Sequence, residues 1–283
     1  MTCGYGFGQP IACDRPIRGL VPIPEATAAV PSIAVTWRAP RSGNSASPDV
    51  PIWARVGDAL DFSPPGVGHY RCTARTITVT PIPRADPDAV EALLIATALP
   101  AVMWLQGQFM LHAAAIVPAR GNRALAIVGA SGSGKSWLAA AFLARGARLL
   151  ADDSLAMRCT GDDAVGSGLA GGYHLADAEA EQRRFHGVPA TDACVSARIG
   201  AIVILADDAP LGGGRLVGVE ALAALLRHRH RVSVPRAIGG EPKTLIDAAQ
   251  VARSTPVFTW RSAEGDALLD QGVGMTRDAR GSG

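Results

Sequence analysis

Lysine is nearly missing from this chain of 283 residues. Among its 27 Lys and Arg residues only Lys135 and Lys243 are lysines, and the formal net charge is +2. A balance this close to neutral, with arginines mostly scattered rather than blocked, argues against a nucleic-acid partner. Cysteine is sparse as well. Cys3, Cys13, Cys72, Cys159 and Cys194 are odd in number, widely spaced and without a C-x-x-C pair, so neither a disulfide framework nor a zinc site is indicated, and a reducing cytoplasm fits. No basic segment leads into an apolar stretch at the N-terminus, so no secretory signal is expected. The apolar stretch Ala92 to Leu105 is interrupted by Pro100 and is shorter than the roughly 18 residues of a membrane span, so it is expected as a buried helix, with no membrane partner.

What is present can build a core. Hydrophobic residues make up 48% of the chain, and its length suggests about two domains at roughly 150 residues each. Residues 1–30 are rich in glycine and proline without a clear period and read as an irregular extension. From 31 to 108 the sequence reads as a small β-rich domain. Ile33 to Trp37, Ile52 to Val56 and Thr76 to Ile82 are β-branched or aromatic runs separated by turn residues such as Pro64-Pro65-Gly66. His69 and Tyr70, at a turn into one strand, read as surface or packing residues. Asp86-Pro87 predicts a helix start that runs towards Leu99 and joins the two domains.

The region 109–270 carries the chemistry, and residues 271–283 read as a frayed tail. Gly129-Ala130-Ser131-Gly132-Ser133-Gly134-Lys135-Ser136 follows the apolar run Ala124 to Val128 and precedes the helix-like run Trp137 to Ala144. This is the G-x-x-x-x-G-K-[ST] phosphate loop in its strand-loop-helix context. Its glycines let main-chain N–H groups surround phosphate oxygens, Lys135 reaches the β- and γ-phosphates, and the Ser136 hydroxyl is a Mg²⁺ ligand. In a chain so biased to arginine, one of two lysines stands where phosphate chemistry needs it.

Upstream, the runs Ala113 to Val117 and Ala124 to Val128 flank Arg120-Gly121-Asn122-Arg123, a hairpin signal. With Gly121 and Asn122 at the turn centre, Arg120 faces Arg123 and His112 faces Ser131 beside the loop; a bulge at Pro118 would turn the imidazole to the other face. Downstream, Arg148 to Ala151 is a strand ending in Asp152-Asp153. The strand-helix-strand order brings both strand C-termini to one sheet edge, so the two carboxylates arrive near the phosphates. One suits proton abstraction from an attacking hydroxyl and the other metal ligation. Further on, Ile199 to Leu205 predicts a central strand, Val219 to Leu226 an amphipathic helix, and Thr244 to Trp260 a helix followed by a strand. Arg227-His228-Arg229-His230-Arg231 reads as a solvated helix end that could also meet phosphate, and Arg236 as a mobile phosphate contact. His174 and His186 carry only weak functional readings.

From Leu111 to Met157 the chain resembles the kinase core of HPr kinase/phosphorylase and its HprK-like relatives. The shared features are a histidine at a strand start, a hairpin, G-x-S-G-x-G-K-S, and a helix followed by R-L-L-A-D-D. The resemblance implies an α/β fold with a central, partly parallel sheet flanked by helices, and an enzyme using ATP and Mg²⁺. It implies Asp152 as catalytic base, Lys135 as phosphate ligand, Ser136 as metal ligand, His112 as neighbour of the aspartates and Asp153 as a supporting or metal-shell carboxylate. His112 is followed by Ala113 where the bifunctional enzymes have glycine, and their glycine-rich C-terminal signature is missing around Arg198 to Leu205 and Val234 to Leu245. The L-H-A-A-A-I-V entry and the S-T-P-V-F segment look more like divergent HprK-like kinases of peptide natural-product pathways. That implies a serine acceptor on a peptide or small protein, such as the C-terminal serine of a lasso-peptide precursor, and a possible homo-oligomer. A true HPr kinase/phosphorylase, a small-molecule kinase and a nucleotide-binding regulator are the alternatives. A GTPase switch is disfavoured, since there is no N-K-x-D and Lys243 to Asp247 has the wrong spacing.

Overall fold

The computed structural model describes residues 2–23, 32–40, 53–176 and 183–276. Strands β1 (Thr2–Gly6), β2 (Gln9–Cys13), β3 (Val21–Pro22), β4 (Ile33–Trp37), β5 (Ala54–Val56), β6 (Ala59–Phe62), β7 (Gly68–Cys72) and β8 (Thr76–Pro81) form one mixed sheet in the order β3-β1-β2-β4-β8-β7-β6-β5. The opening residues are therefore not an irregular extension. A two-residue turn at Phe7-Gly8, with φ of 53° and 72°, pairs Gly6 with Gln9. Such a turn needs positive φ at both centres, and phenylalanine there hides the hairpin from a reading of turn residues. The Phe7 N–H donates to the Gly168 carbonyl at 2.8 Å, so contact with the second half of the chain holds the turn. Ile52, the expected start of a strand, lies outside the described residues; the strand there begins at Ala54. Tyr70 is fully buried and its hydroxyl donates to the Val90 carbonyl at 2.7 Å.

The joining helix begins as expected. Asp86 caps it by accepting from the Asp88 N–H, and Pro87 opens the first turn of α1 (Pro87–Leu93). It then widens into a π-turn over Leu94–Ala98 before α2 (Leu99–Leu105). Pro100 has no N–H to give the carbonyl of Ala96, four residues back. By length and composition the whole helix could cross a membrane, but Leu94, Ala98, Leu99, Ala101, Val102 and Met103 are all fully buried in the protein core.

The second sheet is built from β9 (Phe109–Val117) and β10 (Arg123–Gly129), then, after α3 (Lys135–Ala144), from β11 (Arg148–Ala151), β12 (Ser154–Thr160) and β13 (Asp163–Ser167). A hairpin β14 (Gly172–Ala176) and β15 (Arg183–Gly187) stands apart, and β16 (Ala197–Leu205) and β17 (Gly214–Leu216) follow. Helices α4 (Gly218–Arg227), α5 (Ser233–Ala237) and α6 (Glu241–Ser254) precede β18 (Val257–Trp260) and α7 (Gly265–Met275). Residues 271–275, expected in a frayed tail, thus belong to α7, whose Leu268 and Leu269 are buried against α3 and β10. Residues 277–283 lie outside the described residues.

β10 pairs in parallel with β16 and antiparallel with β9, which in turn pairs antiparallel with β11 and β12. The strands on either side of the phosphate-loop helix therefore run the same way, with β9 between them. One core spans both sheets through α2, α4 and α6; a second fills the opposite face of the second sheet under α3 and α7.

Candidate active site

The hairpin turn differs from the expected one, with a consequence for His112. It is formed by Pro118 to Gly121, whose N–H donates to the Pro118 carbonyl at 2.9 Å, and the register sets Val128 opposite Ala113. One step on, His112 lies opposite Gly129 rather than Ser131. The slip is two residues, so parity is kept and the imidazole stays on the expected face.

The phosphate loop has the backbone its motif requires. Gly132 and Gly134 have φ of 84° and 91°, and a Cβ on Gly129 would lie 2.5 Å from Ser133 Oγ. A side chain at Gly129 would have to displace the Ser133 hydroxyl. Lys135 is 7% exposed and its Nζ donates to the carbonyls of Gly129 at 3.0 Å and Ala130 at 2.8 Å. Ser133 Oγ, inside the loop, is buried with no hydrogen-bond partner. A buried hydroxyl without a partner, next to main-chain N–H groups at a helix start, is the donor set that phosphate oxygens satisfy.

The two aspartates go separate ways. Asp152, with a side chain only 7% exposed, accepts from Ser136 Oγ at 3.0 Å and from the His174 N–H at 2.8 Å. Burial pushes its carboxyl above the ordinary range, although these two hydrogen bonds act the other way. Asp153 has a φ of 70°, unusual for a residue with a side chain. Its carboxylate lies 3.3 Å from His112 Nδ1 and 3.5 Å from His230 Nε2. Burial pushes this carboxyl up, but His230, His112 and Arg231 together hold it well below the usual range. Ser136 and Asp153, expected to share a metal, do not meet; Asp152 is the acid at Ser136. The left-handed backbone at Asp153 accounts for the separation.

His112 is held from both sides: its N–H donates to the His228 carbonyl at 2.9 Å, and its Nδ1 also lies 3.1 Å from the Asp153 carbonyl. Burial lowers its pKa against the pull of Asp153, and the Lys135 and His230 charges lower it further. Within the basic run Arg227 to Arg231, His228 to His230 are therefore not a solvated helix end, whereas Arg227 and Arg231 are exposed. His230 donates its N–H to the Met110 carbonyl at 2.9 Å, and its own carbonyl accepts from Trp104 Nε1 at 3.0 Å. That lays the segment along the start of β9, with His230 only 4% exposed. Arg231 Nε donates to the Ala96 carbonyl at 3.0 Å, the one facing Pro100's missing N–H. Arg236 is exposed on α5 and takes no part in the site.

A cavity of about 690 Å³ opens over the aspartates, walled by Arg231, Arg18, Ala96, His174 and Phe185. Arg18 already pairs with Glu91 and with Asp88 at 2.7 Å. Behind Asp152, a Cβ on Gly168 would fall 2.4 Å from that of Ala151, so glycine lets the chain pass under the acids. Sequence reasoning missed Gly168, gave His174 only a weak reading, and named His230 and Arg231 only within a basic helix end that could also meet phosphate. The alternation of His228 and His230 with arginine was a faint signal. For Gly168 there was no signal.

No family model matches the chain, and no curated protein matches it. Among solved structures it is similar to the HPr(Ser) kinase/phosphatase from Coxiella burnetii at 14% identity. The match covers 59% of this chain and 97% of that one, with a TM-score of 0.36. A likeness that distant assigns no chemistry to this chain.

Proposed function

We propose that the chain is an ATP- and Mg²⁺-dependent phosphotransferase acting on a hydroxyl acceptor, and more narrowly a serine kinase for a peptide or small protein. The observation that carries this reading is the contact between Ser136, the last residue of the phosphate loop, and Asp152, a buried acid that opens on a cavity large enough for part of an acceptor. The Ser136 hydroxyl is an oxygen donor of the kind Mg²⁺ takes, and the carboxylate beside it can receive a proton from an acceptor in the cavity. Bound ATP with Mg²⁺ supplies the γ-phosphoryl group and neutralises the charge on its oxygens.

The loop N–H groups and Lys135 would hold the phosphates, and Ser136 would hold the metal. Asp152 receives the acceptor's proton as the new oxygen–phosphorus bond forms and the bond to ADP breaks. Of the two acids it is the better proton acceptor, because burial raises its pKa whereas Asp153 is held low. Arg18 is committed to Asp88 and Glu91, so Arg231 is the charge at the cavity that can orient an anionic group on the acceptor.

The test is intact-mass analysis of serine-ended precursor peptides and of HPr, each incubated with the protein, Mg²⁺ and ATP, with Asp152→Asn as control. A gain of about 80 Da, one phosphate, on a peptide and absent with the variant is the expected result. A gain on HPr alone moves the reading to an HPr kinase. No gain on either, with ATP bound, moves it to a small-molecule kinase or a nucleotide-binding regulator.

A further inference from the structure

His112, Asp153 and His230 come from three separate parts of the chain, and one ligand atom from each lies within 4.8 Å of the others. We infer that these three side chains form a binding site for a first-row transition-metal ion, separate from the Mg²⁺ position at Ser136. Two imidazoles and one carboxylate are the donors such ions prefer over Mg²⁺, which favours oxygen alone.

The two imidazoles flank the carboxylate, with His112 Nδ1 3.3 Å from Asp153 Oδ1 and His230 Nε2 3.5 Å from Oδ2. The two rings converge, with centroids 6.0 Å apart. Ser154 Oγ, 3.2 Å from His230 Nε2, is the other polar neighbour of that nitrogen.

The site is also assembled in advance. The main chain of His112 is bonded to His228, that of His230 to Met110, and the Asp153 carbonyl accepts from the Ala113 N–H at 3.3 Å. All three ligands are thus set by β-type hydrogen bonds around the start of β9, and little ordering remains for the ion to impose. Three protein ligands leave a position open. Asp153 and Ser154 line the cavity over the aspartates, so that position faces the cavity.

The inference stands apart from the kinase reading, and its test uses no nucleotide. Co²⁺ is titrated into the full chain and its visible d–d absorption followed, with Zn²⁺ as competitor. One equivalent is expected to give tetrahedral or five-coordinate bands that Zn²⁺ abolishes. His112→Ala and His230→Ala each weaken binding by at least about tenfold, with far-UV circular dichroism verifying that each variant is folded; His112, the more exposed of the two, serves if His230→Ala does not fold. Lys135→Ala removes phosphate binding on the reading above and retains the cobalt spectrum, so failure of one proposal is distinguishable from failure of the other. Absence of d–d bands from the folded wild type, or bands unchanged in both histidine variants, overturns the inference.

Discussion

The two halves of the candidate site are built in opposite ways. The phosphate half is one unbroken segment, Gly129 to Ser136, between a strand and a helix. The acid and imidazole half is collected from the start of β9, the β11–β12 junction, β14 and the segment after α4. A contiguous loop brings its own geometry, since its φ values and N–H directions follow from local glycines. A collected half exists only where sheet register and main-chain hydrogen bonds bring its parts together. Damage to the first should act on nucleotide; damage to the second should act on the acceptor and on proton transfer.

The sharpest break of that comparison is Asp152→Asn. It should lower turnover by about 10²–10⁴-fold, the usual worth of a positioned base, while nucleotide affinity measured by equilibrium dialysis stays near wild type. Equal loss of both would make Asp152 part of the nucleotide half. Next is Lys135→Ala, expected to cost about 10²–10³-fold in kcat/KM, as for loss of one preorganised donor, together with measurable loss of nucleotide binding. Retained binding would detach Lys135 from the phosphates.

Arg231→Ala should act on the acceptor alone, raising its KM by about tenfold or more, the scale of one hydrogen bond to a charged group, with the KM for ATP unchanged. A shift in the ATP term would place Arg231 at the nucleotide. The smallest effect belongs to Trp104→Phe. It removes the hydrogen bond that holds the His230 carbonyl and should cost about 1 kcal/mol in urea unfolding. If the site is collected as described, cobalt affinity falls with it; an unchanged affinity would show that His230 is held by β9 alone.

The division between the halves is also the division in legibility. The phosphate loop, the strand before it and the helix after it could be read directly, as could the burial of the helix through Leu105 and the central strand at Ile199 to Leu205. The Phe7-Gly8 hairpin could not, because its turn puts phenylalanine at positive φ and is held by Gly168, far along the chain. The hairpin before the loop was read two residues out of register. His112 still kept its face, because pleat parity repeats every two residues.

The sequence by itself determined which segment forms the glycine-rich loop between strand and helix and that two acids reach the same sheet edge, since both follow from local spacing and strand direction. Only the tertiary structure decided which acid meets Ser136. That choice hangs on the left-handed backbone at Asp153 and on where the segment after α4 is laid down. Likewise, no local pattern joins Pro100 to Arg231; the Ala96 carbonyl, left facing a proline in one helix, accepts from an arginine 135 positions later in the chain. Such contacts depend on which surfaces pack, and packing is a property of the whole fold.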